Sequence, residues 1–134
     1  MIKGFNHITL SVNDLEDSFR FYRNVLGLKP LAKRRQKSAY FLAGNDWLAI
    51  VQTKQSLSET YSHLAFSVEQ MDFAKLAEQI RKSGAIIWQE NTSPGDSLYF
   101  LDPSGNRLEI HAGSWRSRVE WLRQNPTPDV ELFE

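Results

Sequence analysis

Two histidines and one glutamate in this sequence are placed where together they could hold a divalent metal ion. His7 opens the segment NHITLSV, and His63 opens a near copy of that segment, SHLAFSV. Glu109 lies near the end of the chain's second half and alternates with apolar neighbours. Two neutral imidazoles and one carboxylate suit a divalent transition metal and leave coordination positions open for water or substrate. A lone strand histidine is usually an ordinary core or surface residue, so the repeat is what favours a metal site.

Strands are needed to position these side chains. Residues two apart in a strand share a face, so Thr9 shares the face of His7 and Ala65 shares the face of His63. The opposite faces carry apolar residues that a covering helix would bury: Ile8, Leu10 and Val12 in the first copy, and Leu64, Phe66 and Val68 in the second. We therefore expect both histidines on the uncovered faces of two equivalent strands, with Glu109 joining them where the sheets form a cup.

The remaining elements follow the same order in both halves. The first half predicts a helix capped by Asp14 and ending at Gly27, then a hairpin of residues 39–42 and 47–51. The second half predicts a helix capped by Asp72 and ending at Gly84, a strand at 85–88, and a hairpin of 97–101 and 107–111. A final helix capped by Ser114 follows. The basic stretch 29–37 reads as a solvated strand and turn.

This order predicts an α+β protein of 134 residues in one domain. Module 1 covers about residues 4–53, module 2 covers about 60–113, a polar linker at 54–60 joins them, and a C-terminal helix and tail cover 114–134. Each βαβββ module is too small to bury its own sheet, so we expect the modules to pair.

Composition excludes several kinds of function. Sixteen basic residues balance sixteen acidic residues, which gives no sign of a nucleic-acid partner. The chain has no cysteine, so disulfides, thiolate ligands and a cysteine nucleophile are excluded. No apolar run has the length of a signal peptide or a membrane span, and we expect a cytoplasmic protein with no membrane partner.

The sequence resembles the vicinal oxygen chelate superfamily, and in particular its fosfomycin-resistance thiol transferases. The resemblance covers nearly the whole chain, through GFNHITL at the first strand, GDSLYFLDPSGNRLE at the closing hairpin, and RSR shortly after it. The DPSG turn followed by an acidic residue is common to the superfamily. The GDSLYF block with the downstream RSR is much more specific.

The resemblance implies a homodimer in which His7 of one chain meets His63 and Glu109 of the other in a metal-binding cup. The metal in such relatives is usually Mn²⁺. The implied reaction is attack of a glutathione thiolate on the epoxide of fosfomycin or a related small phosphonate. Ring opening develops negative charge on oxygen, which a cation stabilises in the transition state.

The same resemblance assigns roles to further residues. Thr9 would hydrogen-bond the reacting oxygen, Tyr99 and Arg118 would hold the phosphonate, and Tyr40, Trp47 and Gln89 would line the substrate pocket. Asn91, Ser93, Gly95 and Ser97 match a loop that binds a monovalent cation, typically K⁺. His111 shares the face of Glu109, and we expect a supporting or surface role for it, with metal ligation as the alternative.

Two positions depart from the family pattern. Gln89 stands where close relatives place a lysine on the phosphonate, so a positive charge is missing from an anion site. Pro94 stands where their cation loop has a glutamate, which bears on K⁺ dependence. Lys37 or Arg35 could compensate for the missing charge if either side chain reaches the site.

Three other functions are consistent with parts of this pattern. An Fe²⁺ extradiol-type dioxygenase uses the same two-histidine, one-carboxylate set, but usually carries more modules than fit in this length. A non-catalytic, drug-sequestering dimer would need no metal. Hydration of the epoxide would require an additional carboxylate near the first hairpin, and residues 29–42 contain no acid.

Overall fold

The computed structural model describes residue 1, residues 5–54 and residues 61–133. The first half contains β1 (His7–Val12), α1 (Leu15–Arg20) with a π-helical continuation (Phe21–Val25), β2 (Lys29–Arg34), β3 (Ser38–Ala43) and β4 (Asp46–Gln52). Its sheet has the order β1-β4-β3-β2, with β1 parallel to β4 and the other pairs antiparallel.

The second half repeats this arrangement. It contains β5 (Leu64–Ser67), α2 (Gln70–Lys82), β6 (Ile87–Gln89), β7 (Asp96–Leu101) and β8 (Arg107–Ala112), followed by α3 (Trp115–Gln124). The sheet order is β5-β8-β7-β6, with β5 parallel to β8. The predicted α+β class and the βαβββ order of each half are confirmed. No helix in the described residues is long and apolar enough to cross a membrane.

Local signals set most of the helix ends. The Asp14 side chain accepts a hydrogen bond from the Asp17 amide, and Ser114 forms a reciprocal capping box with Ser117. Both of these predicted N-caps are confirmed. The predicted cap at Asp72 is wrong. Helix α2 begins earlier, with Glu69 as its N-cap, and the Asp72 amide donates to the Glu69 carbonyl from within the first turn.

Two further predictions concern the position of β6 and the linker between the two halves. Strand β6 lies later than the predicted 85–88, because the ladder pairs Ile87 with Phe100 and then, after an irregularity, Gln89 with Tyr99. The predicted linker at 54–60 lies mostly outside the described residues.

The helix-covered faces of both sheets contribute to one core. Its fully buried members include Leu15, Tyr22, Phe41 and Ile50 from the first half, and Ile80, Phe100, Leu108 and Ile110 from the second. The buried Tyr22 hydroxyl donates to Asp102 Oδ2 at 2.8 Å, which joins the two halves through a polar contact. Asp102 also accepts from the amides of Ser104 and Asn106, so this buried carboxylate is well satisfied.

The uncovered faces carry the candidate chemistry. Alternation along β1 places His7 and Thr9 opposite the core residue Val12, and alternation along β8 places Glu109 opposite Leu108 and Ile110. These two faces are therefore directed away from the common core. Strands β1 and β5 each form one edge of their sheet, and β2 and β6 form the other edges.

Candidate metal and substrate site

His63 and Glu109 form the better-enclosed part of the site. His63 Nε2 lies 3.1 Å from Glu109 Oε1, and His63 Nδ1 lies 3.1 Å from the Tyr61 carbonyl oxygen. The carbonyl and the carboxylate can only accept hydrogen bonds. Both contacts are favourable only when positive charge, as a second ring proton or a bound cation, lies between His63 and Glu109. The donor set therefore fits a metal cation.

The spacing of these two atoms also fits shared coordination. At a separation of 3.1 Å, His63 Nε2 and Glu109 Oε1 are close enough that both could bind one divalent cation. With its Nδ1 proton directed at the Tyr61 carbonyl, His63 presents the Nε2 lone pair that ligation requires. Glu109 is only 7% exposed, so little water competes for its oxygens.

Aromatic side chains hold His63 in place. Its ring centroid lies 5.3 Å from that of Tyr61, 5.5 Å from Trp88 and 6.0 Å from Tyr99. Trp88 is itself fixed, because its indole N–H donates to the Leu108 carbonyl at 3.1 Å. The three aromatic rings and the contacts of its two ring nitrogens restrict the orientation of the His63 imidazole.

One row across the second sheet contains the predicted phosphonate residues. Strand pairing places Ala65, Glu109, Tyr99 and Gln89 side by side on one face. Gln89 donates from Nε2 to the Tyr61 hydroxyl at 3.2 Å. Tyr99 therefore lies next to Glu109, and Gln89 lies on the other side of Tyr99 in the same row. Arg118 lies on α3, and its Nη2 lies 3.5 Å from the Pro94 carbonyl oxygen, in the loop that precedes β7.

The proposed cation loop is closed by its own contacts. Asn91 donates from Nδ2 to the Gly95 carbonyl at 2.9 Å, and Asn91 Oδ1 accepts from the Ser93 amide and hydroxyl. Ser97 takes no part in these contacts. Its hydroxyl lies 2.7 Å from Glu109 Oε2 and 2.6 Å from His111 Nδ1.

His7, the third predicted ligand, lies on the first sheet. Its Nδ1 lies 2.8 Å from Asn6 Oδ1, and its ring stacks on Trp47 at 4.2 Å. The Asn6 amide oxygen accepts a hydrogen bond from Nδ1–H of His7, so Nε2 carries a free lone pair, as in His63. Sequence reasoning did not identify Asn6 or Tyr61, although each lies within two residues of its histidine.

Thr9 and the substrate-pocket residues share the face of His7. Register places Thr9, Ala49 and Tyr40 in one row and His7, Trp47 and Leu42 in the next. The Trp47 indole nitrogen is buried and has no acceptor among the described residues. A donor without a partner at this position suits a ligand or a second chain that supplies an oxygen.

Two cationic side chains line a cavity beside this row. The cavity has a volume of about 270 Å³, and its walls include His7, Thr9, Arg34, Lys37, Tyr40 and Trp47. Sequence reasoning named Lys37 or Arg35, and the structure places Lys37 with Arg34 instead. Lys33 has the opposite orientation: its Nζ bonds Glu16 at 2.7 Å and lies over the Phe19 ring. Because adjacent residues of a strand point to opposite faces, the sequence could have predicted that Arg34 and Lys33 lie on different sides of the sheet.

One chain does not assemble all three predicted ligands. Within residues 5–54 and 61–133, no group of three His, Asp or Glu side chains is arranged to hold a metal. His63 and Glu109 meet, whereas His7 lies on a different sheet, on a face directed away from the shared core. Within one chain, His7 thus lies apart from the His63–Glu109 pair.

Comparison with known proteins gives a consistent family relationship. Residues 4–110 match the sequence model of the Glyoxalase/Bleomycin resistance protein/Dioxygenase superfamily. The chain is 37% identical over 131 residues to glutathione transferase FosA of Serratia marcescens, covering 94% of this chain and 92% of FosA. It is 34% identical over 140 residues to metallothiol transferase FosB of Bacillus licheniformis, covering 99% and 90%.

Similarity to solved structures agrees with this family relationship. Fosfomycin resistance protein FosX from Mesorhizobium loti has a TM-score of 0.77 and 32% identity, covering 89% of this chain and 99% of that protein. A mutant of FosX from Listeria monocytogenes, complexed with Mn(II) and 1S,2S-dihydroxypropylphosphonic acid, has a TM-score of 0.82 and 29% identity, covering 90% and 98%. The relatives thus include named transferases and an Mn(II) complex.

Proposed function

Since the chain belongs to the glyoxalase/bleomycin resistance protein/dioxygenase superfamily, in the group that includes FosA, FosB and FosX, we propose that it is a metal-dependent thiol transferase. Its substrate would be the epoxide of fosfomycin or a related small phosphonate. The observation that carries the proposal is the pair of half-sites. His63 and Glu109 offer ligand atoms 3.1 Å apart, and His7 offers a third beside the Thr9 hydroxyl.

A homodimer would complete the site. His7 of one chain would meet His63 and Glu109 of the other, and the twofold symmetry would give two equivalent sites. The edge positions of β1 and β5 support this arrangement, because edge strands have unpaired backbone groups that a second copy can approach. An apolar groove of about 790 Å³, lined in part by Ile8, Leu64 and Phe66, lies between these strands and would be covered in the dimer.

His7, His63 and Glu109 would hold the metal, and the Mn(II) complex of the related FosX favours Mn²⁺. A bound divalent cation would stabilise the negative charge that develops on the epoxide oxygen as the ring opens. Thr9, two residues from His7 on the same face, would donate its hydroxyl proton in a hydrogen bond to that oxygen. Tyr99, Gln89 and Arg118 would orient the phosphonate so that the epoxide carbon faces the thiol.

The nucleophile must come from outside the chain, because the sequence contains no cysteine. Arg34 and Lys37 support an anionic thiol such as glutathione. They line the cavity next to His7, and neither forms an ion pair with a described residue. The carboxylates of glutathione would supply the missing partners.

Ring opening by water is the alternative that the similarity to FosX raises. Water would need a general base on the face of His7. In the four strands of the first sheet, all described, the only acid is Asp46, and it alternates onto the helix-covered side with Leu48 and Ile50. This arrangement favours an external thiol over water.

The loop of Asn91, Ser93 and Gly95, with Ser97 after it, would take a monovalent cation such as K⁺. Its carbonyl, amide and hydroxyl oxygens are suitable ligands, but the present contacts of Asn91 would have to open. Activity should therefore depend only weakly on K⁺, and comparison of K⁺ with tetramethylammonium salts would measure that dependence.

The direct test is incubation of purified protein with Mn²⁺, fosfomycin and glutathione, followed by phosphorus NMR. We expect a new phosphonate signal that requires all three additions and is lost in Glu109→Ala. A signal that forms without glutathione would indicate hydration instead. No new signal at high enzyme concentration would contradict the proposal. Oxygen uptake with a catechol would favour a dioxygenase, and tight fosfomycin binding without metal would favour sequestration.

A further inference from the structure

A three-residue chain of hydrogen bonds lies behind Glu109. The Ser97 hydroxyl donates to Glu109 Oε2 at 2.7 Å, and Ser97 Oγ lies 2.6 Å from His111 Nδ1. The direct separation of His111 Nδ1 from Glu109 Oε2 is 3.7 Å, which is too long for a hydrogen bond. His111 therefore reaches the carboxylate through the serine.

Counting hydrogens fixes the direction of this chain. A hydroxyl has one proton, and an ionised carboxylate can only accept, so the Ser97 proton is directed at Glu109. Ser97 Oγ then accepts its second bond from His111, and that bond requires a proton on Nδ1. His111 is thus the Nδ1–H tautomer, and the order of donation is His111 to Ser97 to Glu109.

This series of hydrogen bonds occupies one carboxylate oxygen of Glu109 and leaves the other oxygen for the proposed metal site. Oε2 accepts from Ser97, while Oε1 faces His63 Nε2 at 3.1 Å. We propose that His111 is a positioning residue, which acts through Ser97 to present Oε1 of Glu109, and not Oε2, to a bound divalent metal. This inference rests on the proposed metal site, and it assigns His111 a supporting position rather than ligation.

The backbone around His111 is shaped to hold its ring. A Cβ atom at Gly113 would lie 2.6 Å from His111 Nε2, and a Cβ at Gly95 would lie 3.2 Å from His111 Cε1. Any side chain at Gly113 would therefore displace the imidazole. Gly95 also has a φ of +84°, so its backbone disfavours replacement as well. The two glycines enclose the ring with Nδ1 directed at Ser97.

The experiment compares Mn²⁺ affinity by electron paramagnetic resonance in four single variants and one double variant. His111→Leu removes the donor, Gly113→Ala displaces the ring without removing it, and Ser97→Ala breaks the chain. His111→Asn retains an N–H near the position of Nδ1. Loss of a supporting partner typically weakens metal binding about 10–100-fold. We expect a loss of that size in the first three variants, rescue in His111→Asn, and no additional loss when Ser97→Ala is combined with His111→Leu.

Wild-type protein provides an independent measurement that no folding defect can affect. Long-range proton–nitrogen NMR of the metal-free protein should show the proton of His111 on Nδ1. The proposal is overturned by an Nε2–H tautomer, by unchanged Mn²⁺ affinity in His111→Leu, or by equal losses in His111→Asn and His111→Leu. Failure of wild-type protein to bind Mn²⁺ would instead contradict the proposed function, so the two failures are distinguishable.

Discussion

Nε2 of His63 lies 3.1 Å from Oε1 of Glu109, although 46 residues separate them in the sequence. The contact follows from the parallel pairing of β5 and β8. Ala65 is the register partner of Glu109, and His63 precedes Ala65 by two residues, immediately before β5 begins. A repeated histidine at a strand start thus becomes a neighbour of the carboxylate through sheet topology alone.

Removal of any proposed ligand should abolish tight metal binding. Glu109→Ala, His63→Ala and His7→Ala should each weaken Mn²⁺ binding by more than the roughly 10–100-fold seen for supporting partners, because a bond to the metal is lost. Electron paramagnetic resonance of free Mn²⁺ measures this affinity. Glu120→Ala, on the exposed face of α3, is the matched control and should retain wild-type affinity. Tight Mn²⁺ binding in Glu109→Ala would count against this ligand set.

Recognition of the thiol should depend on the two cationic side chains that line the cavity beside His7, Arg34 and Lys37. Lys37→Ala and Arg34→Ala should raise the KM for glutathione roughly tenfold, since a charge-assisted hydrogen bond contributes about 1.5–3 kcal/mol. Lys33→Ala is the control, because Lys33 pairs with Glu16 on the other face. Steady-state kinetics at saturating fosfomycin distinguish the variants. Equal effects at Lys33 and Lys37 would contradict a specific thiol site.

Restoring positive charge at Gln89 should improve binding of the phosphonate. Gln89 lies in register with Tyr99, which neighbours Glu109 in the same row. Gln89→Lys should lower the KM for fosfomycin by about tenfold, because a charged donor would replace a neutral amide. Gln124→Lys makes the same charge change at the exposed end of α3 and should have no such effect. An unchanged KM in Gln89→Lys would place the phosphonate elsewhere.

Stability at alkaline pH should depend on Tyr22. Burial, together with the nearby Asp102 carboxylate, raises the pKa of the Tyr22 hydroxyl well above its ordinary value of 10.0. Above about pH 10 the unfolded state loses this proton and the folded state retains it, so the free energy of unfolding falls as pH rises. Urea unfolding at about pH 8 and about pH 11 measures the change.

The variant Tyr22→Phe separates this effect from other alkaline titrations. It should be about 1–3 kcal/mol less stable at neutral pH, because buried Asp102 loses a hydrogen bond. Its further loss between neutral and alkaline pH should be smaller than in the wild type. Tyr61→Phe, at an exposed tyrosine, should behave as the wild type does. The same alkaline loss in Tyr22→Phe and the wild type would show that Tyr22 is not the group responsible.

Local sequence was sufficient to predict much of the fold. Period-two alternation identified the strands at His7 and His63, and Asp14, Gly27, Gly84 and Ser114 marked helix ends with their own side-chain or backbone chemistry. Asp72 was misassigned because an acidic residue favours both a cap and the first helical turn, and only the backbone hydrogen bond of its amide to Glu69 distinguishes them.

The site was less predictable, because its details depend on contacts between distant segments. The bond of Tyr61 to His63, the chain from His111 through Ser97 and the position of Arg34 on the cavity depend on register and side-chain orientation, which spacing does not encode. The sharing of the site between two chains was implied by family resemblance. The structure adds that the two sheets share one core and that His7 lies on the face of the first sheet directed away from that core.

In the proposed homodimer, each metal site takes His7 from one chain and His63 with Glu109 from the other. The most direct measurement is Mn²⁺ stoichiometry in a purified heterodimer with His7→Ala in one chain and Glu109→Ala in the other, selected with two affinity tags. Each homodimer of a variant should bind no tight Mn²⁺. The shared site predicts one tightly bound Mn²⁺ per heterodimer, because one site retains all three ligands. A heterodimer that binds none would show that the ligands come from a single chain and would contradict the shared site.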